Sequence, residues 1–195
     1  MGISLQKGQK VSLTKEKAGL NRVIIGLGWD EVERKRGFFA PKPTAIDCDT
    51  SALVLQDGKL KGKEDIVYFG NLKHHTGAIM HMGDNLTGAG AGDDEQIIVE
   101  LSKIPEKYDK IILVVNIYDA YKRKQHFGMI KNAFIRLVDE RDGKEVCRYN
   151  LSESYDNMTA MVFGEVYRHN GEWKFNAVGQ GTQDEGLGQL AQRYT

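Results

Sequence analysis

No run in this chain of 195 residues approaches the roughly 20 apolar residues of a membrane-spanning helix. Charge of neither sign is in excess, with 27 Lys plus Arg against 27 Asp plus Glu. A balanced chain lacks the broad positive field that draws proteins to nucleic acid or anionic membranes, so no nucleic-acid partner is expected. Cysteine is scarce: Cys48 and Cys147 are far apart and form no CxxC. They are expected as reduced core thiols rather than a disulfide. The first residues, MGISLQKGQKV, lack the apolar core of a signal peptide, and Gln6 stands where the myristoylation pattern needs Ser or Thr. A cytoplasmic location is expected. HExxH, GxSxG and GK[ST] are also missing, so no enzyme class declares itself.

What the chain does have is strand signal. RVIIGLGW from Arg22, AIDCDTSALVL from Ala45, DIVYFG from Asp65 and AIMHM from Ala78 are short apolar or alternating runs. EQIIVEL from Glu95, KIILVVNIY from Lys110, AFIRLVD from Ala133 and EVCRYNL from Glu145 continue the series. Most are rich in β-branched or aromatic residues and bounded by Gly, Asp or Asn. In TAMVFGEVYRHNGEWKFNAVG, Asn170-Gly171 sits between two such runs and predicts a tight hairpin, because a type I′ turn needs φ > 0 at both central residues. Asp57-Gly58 and Asp142-Gly143 mark two more. At the C-terminus, Thr182 and Glu185 have capping-box spacing, and Leu187, Leu190, Ala191 and Tyr194 fall near one helical face. A further turn of helix is expected over Ala120 to Phe127. About ten strands without βαβ alternation predict an all-β, antiparallel β-sandwich with a short C-terminal helix, one domain over residues 1–195.

The segment GDNLTGAGAGDDE, Gly83 to Glu95, sets Asp84, Asp93, Asp94 and Glu95 on a glycine-rich backbone with no basic residue beside them. Carboxylates that close repel one another. A phosphate-cradling loop is disfavoured, since the same carboxylates repel an anion. An EF-hand has Asp84 and Glu95 at its first and twelfth positions but puts Leu86 and Gly88 where oxygen ligands belong. A solvated acidic turn remains, and so does an oxygen-rich site for a hard divalent cation, with calcium preferred over magnesium. Asp47 and Asp49 stand two apart in a strand-like run and so share one face, where they repel unless neutralised. Asp30 ends one apolar run, and Asn116 and Asp119 end another. Acidic groups at strand ends can converge at one end of a sandwich, which favours the calcium site.

GLGWD at Gly26, the paired aspartates of IDCDTSA, GDNLTG followed by GDDE, NIYDA, FGMIKNAFIRL and AMVFGEVYRHNGEWKFNAVGQG occur in that order. Together they resemble the TerD family of tellurite-resistance and general-stress proteins across nearly the full length. The resemblance implies a calcium-binding β-sandwich in the bacterial cytoplasm holding two Ca²⁺ ions. By similarity the loop ligands are Asp84, Asn85, Asp93, Asp94 and Glu95, with Gly88 contributing backbone, joined by Asp30, Asp47 and Asp49. The family often carries acidic residues where this chain has Ala89 and Ala91, which bears on whether one ion or two is held. The family's NIHDA is NIYDA here, with Tyr118 in place of His.

No catalytic role is expected. His74 and His75 with His81 could in principle hold a transition metal, but an exposed turn followed by a strand is the favoured reading. Cys48, flanked by Asp47 and Asp49, is expected as a core thiol whose carboxylate neighbours raise its pKa. The run Tyr121 to Phe127 reads as a short solvated helix, and Trp29 and Trp173 as core anchors. The expected function is calcium-dependent stress protection, with a stress-protein or membrane-associated complex as partner. A metal-dependent phosphate-ester hydrolase and a calcium-dependent membrane adaptor are the alternatives.

Overall fold

The protein was analysed as a computed structural model, which describes residues 2–31, 45–83 and 92–195. Twelve strands among them form two six-stranded sheets. They are β1 (Ile3–Leu5), β2 (Lys10–Ser12), β3 (Arg22–Glu31), β4 (Cys48–Leu55), β5 (Ile66–Val67) and β6 (Ile79–His81). β7 (Glu95–Glu100), β8 (Lys110–Ile117), β9 (Ile130–Asp139), β10 (Lys144–Asn150), β11 (Ala160–His169) and β12 (Glu172–Thr182) follow. One sheet runs β1-β10-β9-β3-β7-β6 and the other β2-β12-β11-β8-β4-β5. Every pairing is antiparallel except β1 on β10, which is parallel. No helix among the described residues is long and apolar enough to cross a membrane.

Strand alternation decides what each sheet buries. Val23, Ile25 and Leu27 of β3, Ile97 and Val99 of β7, and Ile135 and Leu137 of β9 point into the shared core. Cys48, Ala52 and Val54 of β4 and Ile111, Leu113, Val115 and Ile117 of β8 meet them from the other sheet. The odd residues of β4 face outward, where Leu53 and Leu55 join Ile112, Val114 and Val162 in a second apolar cluster. The C-terminal helix, Leu187–Gln192, covers that cluster with Leu190 and Ala191. Burying a leucine side chain contributes about 2 kcal/mol, enough to hold so short a helix on the sheet. The capping box does not form. Thr182 ends β12 and donates its hydroxyl to Asp184, while Gly186 stands at the helix start. The tight turns are where the sequence places them: Asn170 and Gly171 have φ of 52° and 75°, and Asp57 and Gly58 of 51° and 73°. Both cysteines are free and buried.

Candidate functional site

The site grows from an irregularity in β3. Its pairing with β9 is regular to Gly28 opposite Phe134, then resumes at Asp30 opposite Lys131, so two residues of β9 face one of β3. Such a bulge frees backbone groups and re-aims side chains. On the opposite side of β3, past the Leu27–Glu95 pair that ends the β7 ladder, the Trp29 N–H donates to Asp94 Oδ2 at 2.7 Å. On the bulged side Asn132 adopts a left-handed φ of 55° and donates its side-chain amide to Asp30 Oδ2 at 2.8 Å. Asp94 is also tied through its own N–H, 2.7 Å from the Leu27 carbonyl. Asp30 and Asp94 thus sit together on the wall of a cleft of about 600 Å³, which Asn132, Arg136 and Arg148 also line.

Asp93, next in the chain, has the opposite environment. Its carboxylate is 1% exposed and accepts a fork from Arg136, Nε to Oδ1 at 2.7 Å and Nη2 to Oδ2 at 3.2 Å. Gln96 adds a donor to Oδ2 at 3.0 Å. Gln96 and Arg136 flank Gly26 on the two sides of β3, and the carboxylate lies over that glycine. A Cβ at Gly26 would fall onto it. The first glycine of GLGWD is therefore the floor of an ion pair. Burial first, and then the Asp30 and Asp93 carboxylates, push the Asp94 carboxyl above its usual range, against the pull of the Trp29 N–H.

Glu95 begins β7, faces inward and is buried. Its Oε2 accepts the Thr50 N–H at 2.6 Å, a bond from one sheet to the other. His81 of β6 holds the carbonyl of the same residue: Nε2 lies 3.1 Å from Thr50 O, while Nδ1 accepts the Gly83 N–H at 3.0 Å. An acceptor at Nδ1 places the proton on Nε2, so the ring is a neutral donor to Thr50. His81 is thereby separated in role from His74 and His75.

Asp47 and Asp49 form a second group at the start of β4. Cys48 between them points into the core, so the two aspartates share the other face. Asp49 pairs across the ladder with Asn116 of β8. Asp47 is largely exposed, with Arg123 of the short helix Ala120–Arg123 3.9 Å away. Burial, followed by Glu95, Asp49, Asp47 and Asp94, pushes the Cys48 thiol well up. The Glu95 bond to Thr50, next to Asp49, ties both groups to one end of the sandwich. A protonated, buried thiol is a core residue. Asp84, Asn85 and Gly88, with Ala89 and Ala91, lie outside the described residues. Among the described positions, then, Asp30, Asp93 and Asp94 come together on one sheet, Asp47 and Asp49 on the other, and Glu95 spans the interior between them.

A different cluster departs from the expected exposed turn. His74 is buried, and its Nε2 lies 3.2 Å from Oδ1 of Asp65, itself 1% exposed. Tyr108 donates its hydroxyl to the same oxygen at 2.7 Å. Burial lowers the His74 pKa although Asp65 works to raise it, and burial raises that of Tyr108. Asp65 and Tyr108 were not singled out in the sequence. They lie 9 and 33 or more positions from the histidines they meet, with no local spacing to connect them.

Comparison with known proteins accords with this architecture. The chain is 52% identical to stress response protein SCP2 of Bacillus subtilis over the whole of both chains. It is 47% identical to tellurium resistance protein TerD of Serratia marcescens, covering 93% of this chain and 91% of that one. A crystal structure of a homologue of telluride resistance protein from Streptomyces coelicolor superposes with a TM-score of 0.60 at 21% identity, over 85% of this chain and 92% of the other, a likeness of fold alone. The TerD domain model matches residues 1–194, and the chain belongs to the TerD family.

Proposed function

We propose that this is a calcium-binding stress-response protein, associated with tellurite resistance, that holds its ions among the carboxylates at one end of the sandwich. The observation carrying this reading is that Asp30 and Asp94 share the wall of one cleft, the Asp94 carboxyl being pushed up by burial and by the Asp30 and Asp93 carboxylates beside it. A hard dication would relieve that repulsion. The donors are oxygen throughout, which suits Ca²⁺ with its six to eight oxygen ligands and tolerance of irregular geometry. Asp30 and Asp94 would serve one ion, and Asp47 and Asp49 a second. Asp93 and Glu95 would contribute through lone pairs not taken by Arg136, Gln96 and Thr50. Asp84, Asn85 and Gly88 are the further ligands that family resemblance implies.

Bound calcium supplies two positive charges where the chain sets negative ones, coupling ion binding to stability. Ion binding rather than catalysis is the reading, because His81, the imidazole that braces Thr50, has both ring nitrogens engaged. Calorimetric titration of Ca²⁺ into chelator-treated protein tests it, with Mg²⁺ and the Asp30→Ala/Asp94→Ala variant as controls. One or two Ca²⁺ ions bound in preference to Mg²⁺, and fewer in the variant, are expected. Absence of heat together with an unchanged melting temperature would sink the proposal.

A further inference from the structure

We infer that Asp65, His74 and His75 form a second, chemically distinct metal site, one for a borderline transition-metal dication such as Zn²⁺. One ligand atom from each of the three residues lies within 4.8 Å of the others. His74 Nε2 is 3.2 Å and His75 Nδ1 4.0 Å from Asp65 Oδ1. A tetrahedral centre with bonds of about 2.0–2.1 Å has its ligand atoms roughly 3.3 Å apart, so a modest closing of the cluster accommodates the ion. That closing falls to His75, whose side chain is 46% exposed, whereas His74 and Asp65 are buried.

The groups behind these atoms are those a metal site requires. A ligating histidine has its other nitrogen engaged, and a ligating carboxylate is held by an outer donor. His74 Nδ1 lies 2.7 Å from the Thr76 hydroxyl and 3.4 Å from the Thr76 N–H, so a metal taking Nε2 moves the ring proton to Nδ1, where the hydroxyl oxygen accepts it. His75 Nε2 lies 3.2 Å from the Tyr108 hydroxyl, which itself donates to Asp65. A single tyrosine thus orients two of the three ligands.

Two imidazoles and one carboxylate select zinc, nickel or copper over calcium, which wants oxygen alone. Three protein ligands leave a coordination position open. His75 lines a cleft of about 710 Å³, with Ile66, Tyr68, Asn71 and Leu187 on its walls, so the ion has a route in.

The test is calorimetric titration of Zn²⁺ into the full chain, first stripped with chelator and then saturated with Ca²⁺, alongside His75→Ala. Because His75 is half-exposed, that variant is expected to keep the metal-free melting temperature of the parent. One Zn²⁺ per chain is expected, with affinity at least tenfold lower in His75→Ala and unchanged in Asp94→Ala. Absence of Zn²⁺ binding would overturn the inference, as would equal affinity in His75→Ala. Loss of Zn²⁺ binding in Asp94→Ala, or its displacement by Ca²⁺, would place the ion at the acidic end and overturn it too. The calcium reading is separable, since its own titration precedes the zinc addition.

Discussion

The two ends of β3 each set an aspartate beside charged neighbours, with opposite outcomes. At one end Asp139, opposite Val23, is fully buried. Its carboxylate accepts from Arg141 Nη2 at 2.7 Å, Nε at 3.0 Å and the Arg141 backbone N–H at 3.0 Å, with Lys17 3.6 Å away. Those donors, Arg141 foremost, hold its pKa down at about 2. At the other end Asp94 has a raised pKa. The first carboxylate is neutralised by the chain itself and belongs to the fold. The second is charged at a cost, and it is the carboxylate to which the proposed function assigns an external cation.

Removing the neutralised charge should have the largest effect. Asp139→Asn leaves Arg141 and Lys17 facing a buried amide, and a loss of about 3 kcal/mol is expected in urea denaturation. The acid limb should flatten with it. A depressed folded pKa contributes stability that is complete above the unfolded value near 4 and lost as pH falls through about 2. Melting curves across that window should therefore fall more steeply for the parent than for Asp139→Asn. An unchanged slope would mean the two ends do not differ as described.

Next is the floor of the Asp93 pair. Gly26→Ala should cost about 2 kcal/mol, as overpacked sites do, because the methyl takes the place of the carboxylate. It should also weaken calcium binding by disturbing the Asp94 that follows, a change readable by calorimetry.

The smallest effect has the opposite sign. A raised folded pKa contributes stability that is present at low pH and lost as pH rises through the folded value. At neutral pH, Asp94→Asn should therefore leave the chelator-treated protein as stable as the parent or up to about 1 kcal/mol more so, allowing for its partial exposure. The same variant should lose most of the melting-temperature gain produced by calcium. Destabilisation of the chelated protein by Asp94→Asn would show that Asp94, like Asp139, is structural.

Much of this molecule was legible in the chain. Alternation and bounding turn residues located β3, β4, β7 and β8 to within a few residues, and the shared face of Asp47 and Asp49 followed from strand geometry. The three-residue strands β1 and β2 escaped because so short a run carries no period. The capping box at Thr182 failed because hydrogen bonding to β11 extends β12 through that residue, so tertiary pairing overrode local spacing. Asp93 looked like its neighbours until Arg136, 43 residues away, was placed beside it. The buried histidine was missed for the same reason: a polar residue reads as exposed until the partner that pays for its burial is known, and Asp65 with Tyr108 supplies that partner only in three dimensions.

The grip of Glu95 and His81 on Thr50 has one more consequence. β4 pairs with β5 only at Ala52 and Leu53, so among the described residues the strand continues past its neighbour with an open edge at Thr50. An open edge is a template on which another chain can add a strand. Here the N–H and the carbonyl that such an intruder would need are already taken by two side chains from the opposite sheet. The residues that brace the acidic end thereby also occupy the backbone groups that strand addition at Thr50 would use.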